Sequence, residues 1–160
     1  MAQIKIEYNQ FLESAPANHH AFMQDLHDYL LENGCKPTYE EKKSGLLGSY
    51  KHTKSKKVVI NPLLKKQGLF IRIYGENISE YPGFLNTLPT EMIQSIDKSG
   101  ECTRLTQNKC SPKCKGYDFT IEEAHFQKCR YNCFEFLVTE ESKPYIKAFV
   151  EHEVRERTAI

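Results

Sequence analysis

The chain reads as a single α+β domain, residues 1–160: an antiparallel sheet, two or three helices packed on it, and a Cys-rich metal-binding segment in the C-terminal half. Three observations predict this. Between residues 38 and 74, four short β-type runs are separated by turn residues. Amphipathic helical patterns flank that block, and a further one closes the chain. Five of the six cysteines fall in the 32 residues from Cys102 to Cys133. A domain of 160 residues buries about 70% of its unfolded-chain surface, so it needs no staple merely to fold. Nine Phe and nine Tyr in a chain that is 39% hydrophobic argue against disorder.

The first element is a short strand, Ile4-Lys5-Ile6. A helix is predicted from about Asn18, a suitable N-cap, to Asn33. Phe22, Leu26, Tyr29 and Leu30 recur on one side of it, and Asn33-Gly34 stops it. Strands are predicted over 38–43, 46–52, 57–61 and 69–74, divided at Gly45, at the polar His52–Ser55 turn and at the Pro62–Gly68 link. In the last of these, Leu69, Ile71 and Ile73 form an aliphatic face that belongs to the core. Phe70, Arg72 and Tyr74 form the other. After a Tyr81-Pro82-Gly83 turn, a helix is expected over 88–98, capped by Thr87 and ended by Ser99-Gly100. Residues 117–121 and 134–138 alternate like strands that join the sheet, and the last helix starts near Pro144.

A formal net charge of +1 hides an uneven distribution. From Lys42 to Tyr74 there are eight Lys and one Arg but no Asp or Glu, so the rest of the chain carries −8. Compensation by the acidic helices is one reading of this run. The other is an anion-facing surface for nucleic acid or a phosphate-containing ligand, formed by the turn residues Lys51, Lys54, Lys56 and Lys57 with the Phe70, Arg72 and Tyr74 face. That face also admits a different function, a pocket beneath the helices near Tyr50 that takes a small molecule.

The cysteines are spaced C-x7-C-x3-C-x14-C-x3-C. Two close pairs, Cys110 with Cys114 and Cys129 with Cys133, have the general plan of a zinc knuckle, within an element spanning 101–138. Four thiolates satisfy a tetrahedral zinc ion, and the flanking Lys109, Lys113, Lys115, Lys128 and Arg130 stabilise them. Cys102 or His125 is an alternative ligand. A [4Fe–4S] cluster, disulfides and reduced thiols are the chemical rivals, the last opening a thiol-redox or metal-handling function. Cys35 stands apart and reads as a small core residue. A closed four-thiolate site stabilises a fold and leaves no open position for catalysis.

No P-loop, GxGxxG, HExxH, EF-hand or GxSxG pattern occurs, and the sequence leans away from an enzyme. His19-His20 is expected to be a solvated pair, and His27 has no acidic partner evident from its spacing. Glu122-Glu123 would face opposite ways on a strand. There is no apolar run of the roughly 20 residues a membrane span needs. The first twenty residues lack a signal peptide's apolar centre, so a cytoplasmic protein is expected.

Overall fold

Alternation decides the sheet first. Leu69, Ile71 and Ile73 are each at most 1% exposed, and every strand that pairs in their neighbourhood turns its apolar side the same way. The computed structural model describes residues 4–102, 116–129 and 133–159. Its main sheet has six strands: β1 (Ile4–Ile6), β2 (Cys35–Lys42), β3 (Gly45–His52), β4 (Lys57–Lys65), β5 (Gly68–Ile73) and β8 (Glu135–Leu137). They lie in that order, and each pairs antiparallel with its neighbour. The α+β class and the antiparallel sheet are as the sequence implies.

Helices α1 (Tyr8–Ser14), α2 (His20–Glu32) and α5 (Lys143–Thr158) supply the apolar cover. Phe11 of α1 packs on Tyr39, Leu26 and Leu30 of α2 are fully buried, and Phe149 of α5 meets Phe134 and Phe136. Gly34, at φ +80°, ends α2 in the left-handed conformation that glycine adopts without strain. At Gly48 the space above the backbone is filled by the Tyr39 ring, so a Cβ there would collide with it. Among the described residues no helix is long and apolar enough to cross a membrane.

Several elements differ from expectation, each for a local reason. Strand β4 runs on through Pro62 to Lys65, where a link was expected. Proline has no N–H to give to Gly48, and Asn61 supplies one instead: its Nδ2 donates to Gly48 O at 3.0 Å, while its Oδ1 accepts the Tyr74 hydroxyl at 2.6 Å. A bulge lies at the other end of this pair, where the register shifts between Tyr50 and Lys51. It lets two consecutive residues, Val59 and Ile60, both enter the core. The 88–98 helix is α4 (Thr90–Lys98) with Pro89 as its cap, and a short α3 (Pro82–Leu85) occupies the expected turn.

Residues 117–121 do not join the main sheet. They form β6 (Tyr117–Ile121), which pairs only with β7 (Ala124–Lys128), a strand the sequence reading missed. Glu122 and Glu123 form the turn between them, with Glu122 at φ +55°. This hairpin packs Tyr117 and Phe119 against Phe134, extending the core beyond β8. His19 is not solvated. It is 8% exposed at the end of a short 3₁₀ turn (Ala17–His19), and its Nδ1 has no hydrogen-bond partner among the described residues.

A buried ion pair joins α5 to the long connection after β5. Glu153 is fully buried and Arg157 is 2% exposed. The Glu153 carboxylate accepts bonds from Asn77 N (3.1 Å), Asn77 Nδ2 (3.0 Å), the Tyr81 hydroxyl (2.5 Å) and Arg157 Nε (2.7 Å). Arg157 also donates to Lys57 O at 3.0 Å and Tyr74 O at 2.9 Å. Replacing Arg157 with Met keeps the aliphatic length but strands the carboxylate. It is expected to cost about 3–5 kcal/mol in urea unfolding; a loss of about 1 kcal/mol or less, typical of an exposed pair, would show that the network bears little load.

Candidate anion-binding face and cysteine turn

Helices α1, α2 and α5 pack on one side of the sheet, while α4 borders the other only at β8, where Glu91, Met92 and Ser95 line a cavity with Phe70, Glu135 and Leu137. On that second side the register places Lys5, Lys36, Lys42, Lys51, Lys65 and Arg72, against Glu40 and Glu135. Leu47, Leu63, Phe70 and Leu137 form its apolar middle. The acids are already engaged. Glu40 pairs with Lys42 at 3.3 Å. Glu135 Oε2 accepts from Lys65 at 2.8 Å, and its Oε1 accepts from Arg72 Nε at 3.2 Å and Nη2 at 2.9 Å. Burial pushes the Glu135 carboxyl upward, but the bonds from Lys65 and Arg72 outweigh it and hold it below its usual range.

The expected stacking surface of Phe70, Arg72 and Tyr74 is thus largely self-occupied. Lys65 lies over the Phe70 ring, 5.0 Å from its centre. Tyr74 is 8% exposed and donates to Asn61, and Arg72 is held by Glu135 and Tyr74. Tyr50 is fully buried on the opposite side of the sheet, so it shares no cavity with Phe70 and Tyr74.

The lysines of the β3–β4 turn divide into two groups. Lys54 donates to Thr158 O at 2.9 Å, and Lys57 approaches Glu76 at 3.8 Å. Lys51 and Lys56 are exposed and have no acidic partner among the described residues. Lys36, also exposed, lies directly opposite Lys51 in the β2–β3 ladder, a like-charge pair with no carboxylate between. At the other end of the strands, two hairpin turns repeat one short pattern: Lys42-Lys43-Ser44-Gly45-Leu46 and Lys65-Lys66-Gln67-Gly68-Leu69. Between them is an open depression of about 640 Å³ bordered by Lys42, Lys43, Lys65, Lys66 and Arg72. The repeated Lys-Lys-x-Gly-Leu was the legible signal for this feature.

The second candidate centre is the turn from Cys129 to Cys133. Residues 100–102 run antiparallel beside 127–129, with Cys102 N donating to Gln127 O and Cys129 N to Gly100 O, both at 2.9 Å. Cys133 N then donates to Cys129 O at 3.0 Å, and both cysteines are present as free thiols. Beneath it lies Lys128, 2% exposed, whose ammonium donates to Asp97 O (2.9 Å), Ser99 O (3.1 Å) and Glu101 Oε1 (2.8 Å). It thereby caps the carbonyl end of α4. Burial pushes the Cys133 thiol up, against the pull of Lys128. Cys110 and Cys114 lie outside the described residues. Among the described ones, no three His, Cys, Asp or Glu side chains converge as a metal site. His125 instead holds Asp118 at 2.5 Å, and Cys35 is buried, its thiol pushed up to about 11 by that burial.

A third arrangement, around His27, was invisible in the spacing. Its ring stacks on Tyr8 with centres 3.8 Å apart, and its Nδ1 lies 2.6 Å from the Tyr50 hydroxyl. Tyr50 in turn lies 2.5 Å from the Tyr39 hydroxyl. Neutral His27 accepts from Tyr50, which accepts from Tyr39, so both buried hydroxyls of this relay are satisfied. Burial lowers the pKa of His27 against the opposing pull of Asp28, and burial lowers those of His19, His52 and His152 as well. A histidine held below its ordinary 6.5 binds fewer protons folded than unfolded. Its contribution to stability is complete above that value and is lost as the pH falls through it. Thermal melts should therefore show a falling midpoint below pH 6.5. His27→Asn, which keeps an acceptor for Tyr50, should flatten part of that slope; an unchanged slope would place the titration elsewhere.

No protein-family model, curated protein or solved structure matches this chain.

Proposed function

We propose that this protein is a zinc-stabilised binding module for an anionic partner, nucleic acid or a phosphate-containing ligand. The observation that carries this reading is the Lys36–Lys51 pair, two exposed ammonium groups facing each other across the β2–β3 ladder with no described acid to separate them. Like charges directly opposite destabilise a sheet, and a bound anion relieves the repulsion. Lys56 in the adjoining turn adds to the same positive surface, with Lys54 and Lys57 beside it. Phe70, Arg72 and Tyr74 frame the face rather than offer a stacking platform, since their polar and aromatic surfaces are engaged within the sheet.

Zinc is assigned a structural role on Cys110, Cys114, Cys129 and Cys133. The Cys129–Cys133 pair supports it: the two thiols are free, and Cys133 N donates to Cys129 O, which keeps the two residues close. Bound there, zinc would tie the segment before β6 to the one between β7 and β8 and stabilise the fold without an open coordination position. Elemental analysis of protein purified without added metal should find about one zinc per chain, with four thiols protected until denaturation. Protein that folds and carries no metal would remove zinc and leave the basic face to stand alone.

Lys51→Glu separates binding from folding. The new carboxylate would face Lys36, so unfolding should show no loss of stability and a gain of about 0.2–1 kcal/mol. Fluorescence anisotropy with a labelled oligonucleotide at low salt should meanwhile weaken several-fold. Wild-type binding should fall steeply between about 50 and 200 mM salt. Binding that is flat over that range, or untouched in Lys51→Glu, would sink the anionic-partner reading.

A further inference from the structure

The basic groups on the open face stand at both of its ends. One end carries Lys36, Lys51 and Lys56. The other carries the twin Lys-Lys tips, where Lys43 and Lys66 are exposed and have no acidic partner among the described residues. From Lys51 to the tip at Gly45 is a run of six strand residues along β3, about 20 Å at roughly 3.3 Å per residue. Two neighbouring hairpin tips on β2–β3 and β4–β5 are two strand spacings apart, about 10 Å. The depression between them opens outward and is floored by leucines.

We infer that the partner is a single strand of nucleic acid laid along this face, its phosphates held at one end by Lys36 and Lys51 and at the other by Lys43 and Lys66. The inference rests on the anionic-partner reading above and specifies its ligand. Three features select this occupant. A free phosphate compound reaches one end of the face and not both, whereas a single strand of several nucleotides spans it. All four of these cations are lysines, point charges that suit phosphate without a set geometry. Carboxylates favour the bidentate arginine fork, and the face's arginine, Arg72, already holds the carboxylate of Glu135. An acidic peptide is therefore the weaker fit. With Phe70 lying under Lys65 and Tyr74 buried, no pair of rings is open for base stacking, so the contact is to the backbone and tolerant of sequence.

The test is anisotropy on the full chain with labelled single-stranded oligonucleotides of increasing length. Affinity should climb with length and level off once the strand is long enough to reach both ends of the face. Lys43→Ala with Lys66→Ala, both exposed turn substitutions, should cost about tenfold with a long strand and reduce the salt slope by about 1.4, the share of two single-strand phosphate contacts. The same pair should leave binding of a dinucleotide to the Lys36–Lys51 end unchanged, and oligonucleotides differing only in base should bind alike. Length-independent affinity, or wild-type binding by the double variant, would overturn the two-ended strand while leaving an anion site at Lys51. Poly-glutamate binding more tightly than the oligonucleotide would overturn the nucleic-acid assignment. If no anion binds at any length, the functional reading falls together with this inference.

Discussion

The Glu153–Arg157 pair is the constraint on which the rest of the architecture hangs. A buried carboxylate is tolerable only when its charge is matched and its lone pairs are filled, and here four donors from three residues in two separate parts of the chain do this. The consequence is geometric as much as energetic. Asn77 and Tyr81 fix the start of the long connection that leaves β5, and Arg157 reaches across to the backbone of Lys57 and Tyr74. One helix thereby sets the start of β4, the exit of β5 and the path toward α3.

With that end fixed, the sheet can present two chemically different faces. The covered face is a continuous apolar core running from Phe11 to Phe149. On the open face Glu40 and Glu135 are paired internally, while Lys36, Lys43, Lys51 and Lys66 have no acidic partner among the described residues. Asn61 is the hinge between the two requirements. It supplies the donor that Pro62 lacks and at the same time orients Tyr74, so one side chain repairs the ladder and closes the aromatic surface.

The cysteine turn and the open face meet at β8. Cys133 is followed after one residue by Glu135, whose carboxylate organises Lys65 and Arg72.

Much of the fold was legible because it depends on local periodicity and turn chemistry. The alternation in 69–74, the Asn33-Gly34 stop and the Pro144 helix start are written in adjacent residues, and so is the charge run that became the open face. Where the reading failed, the deciding interaction was distant in sequence. Strand β4 continues through Pro62 because Asn61 reaches Gly48, thirteen positions away. The 117–121 strand pairs with β7 rather than the main sheet because Tyr117 and Phe119 pack on Phe134. His27 gains its role from Tyr50 and Glu153 from Asn77, partners 23 and 76 positions distant. The sequence by itself determined which side chains are apolar, cationic or thiol and which way each strand alternates. Only the tertiary structure decided which cations keep a partner, because pairing depends on separations in space that charge order along the chain does not encode.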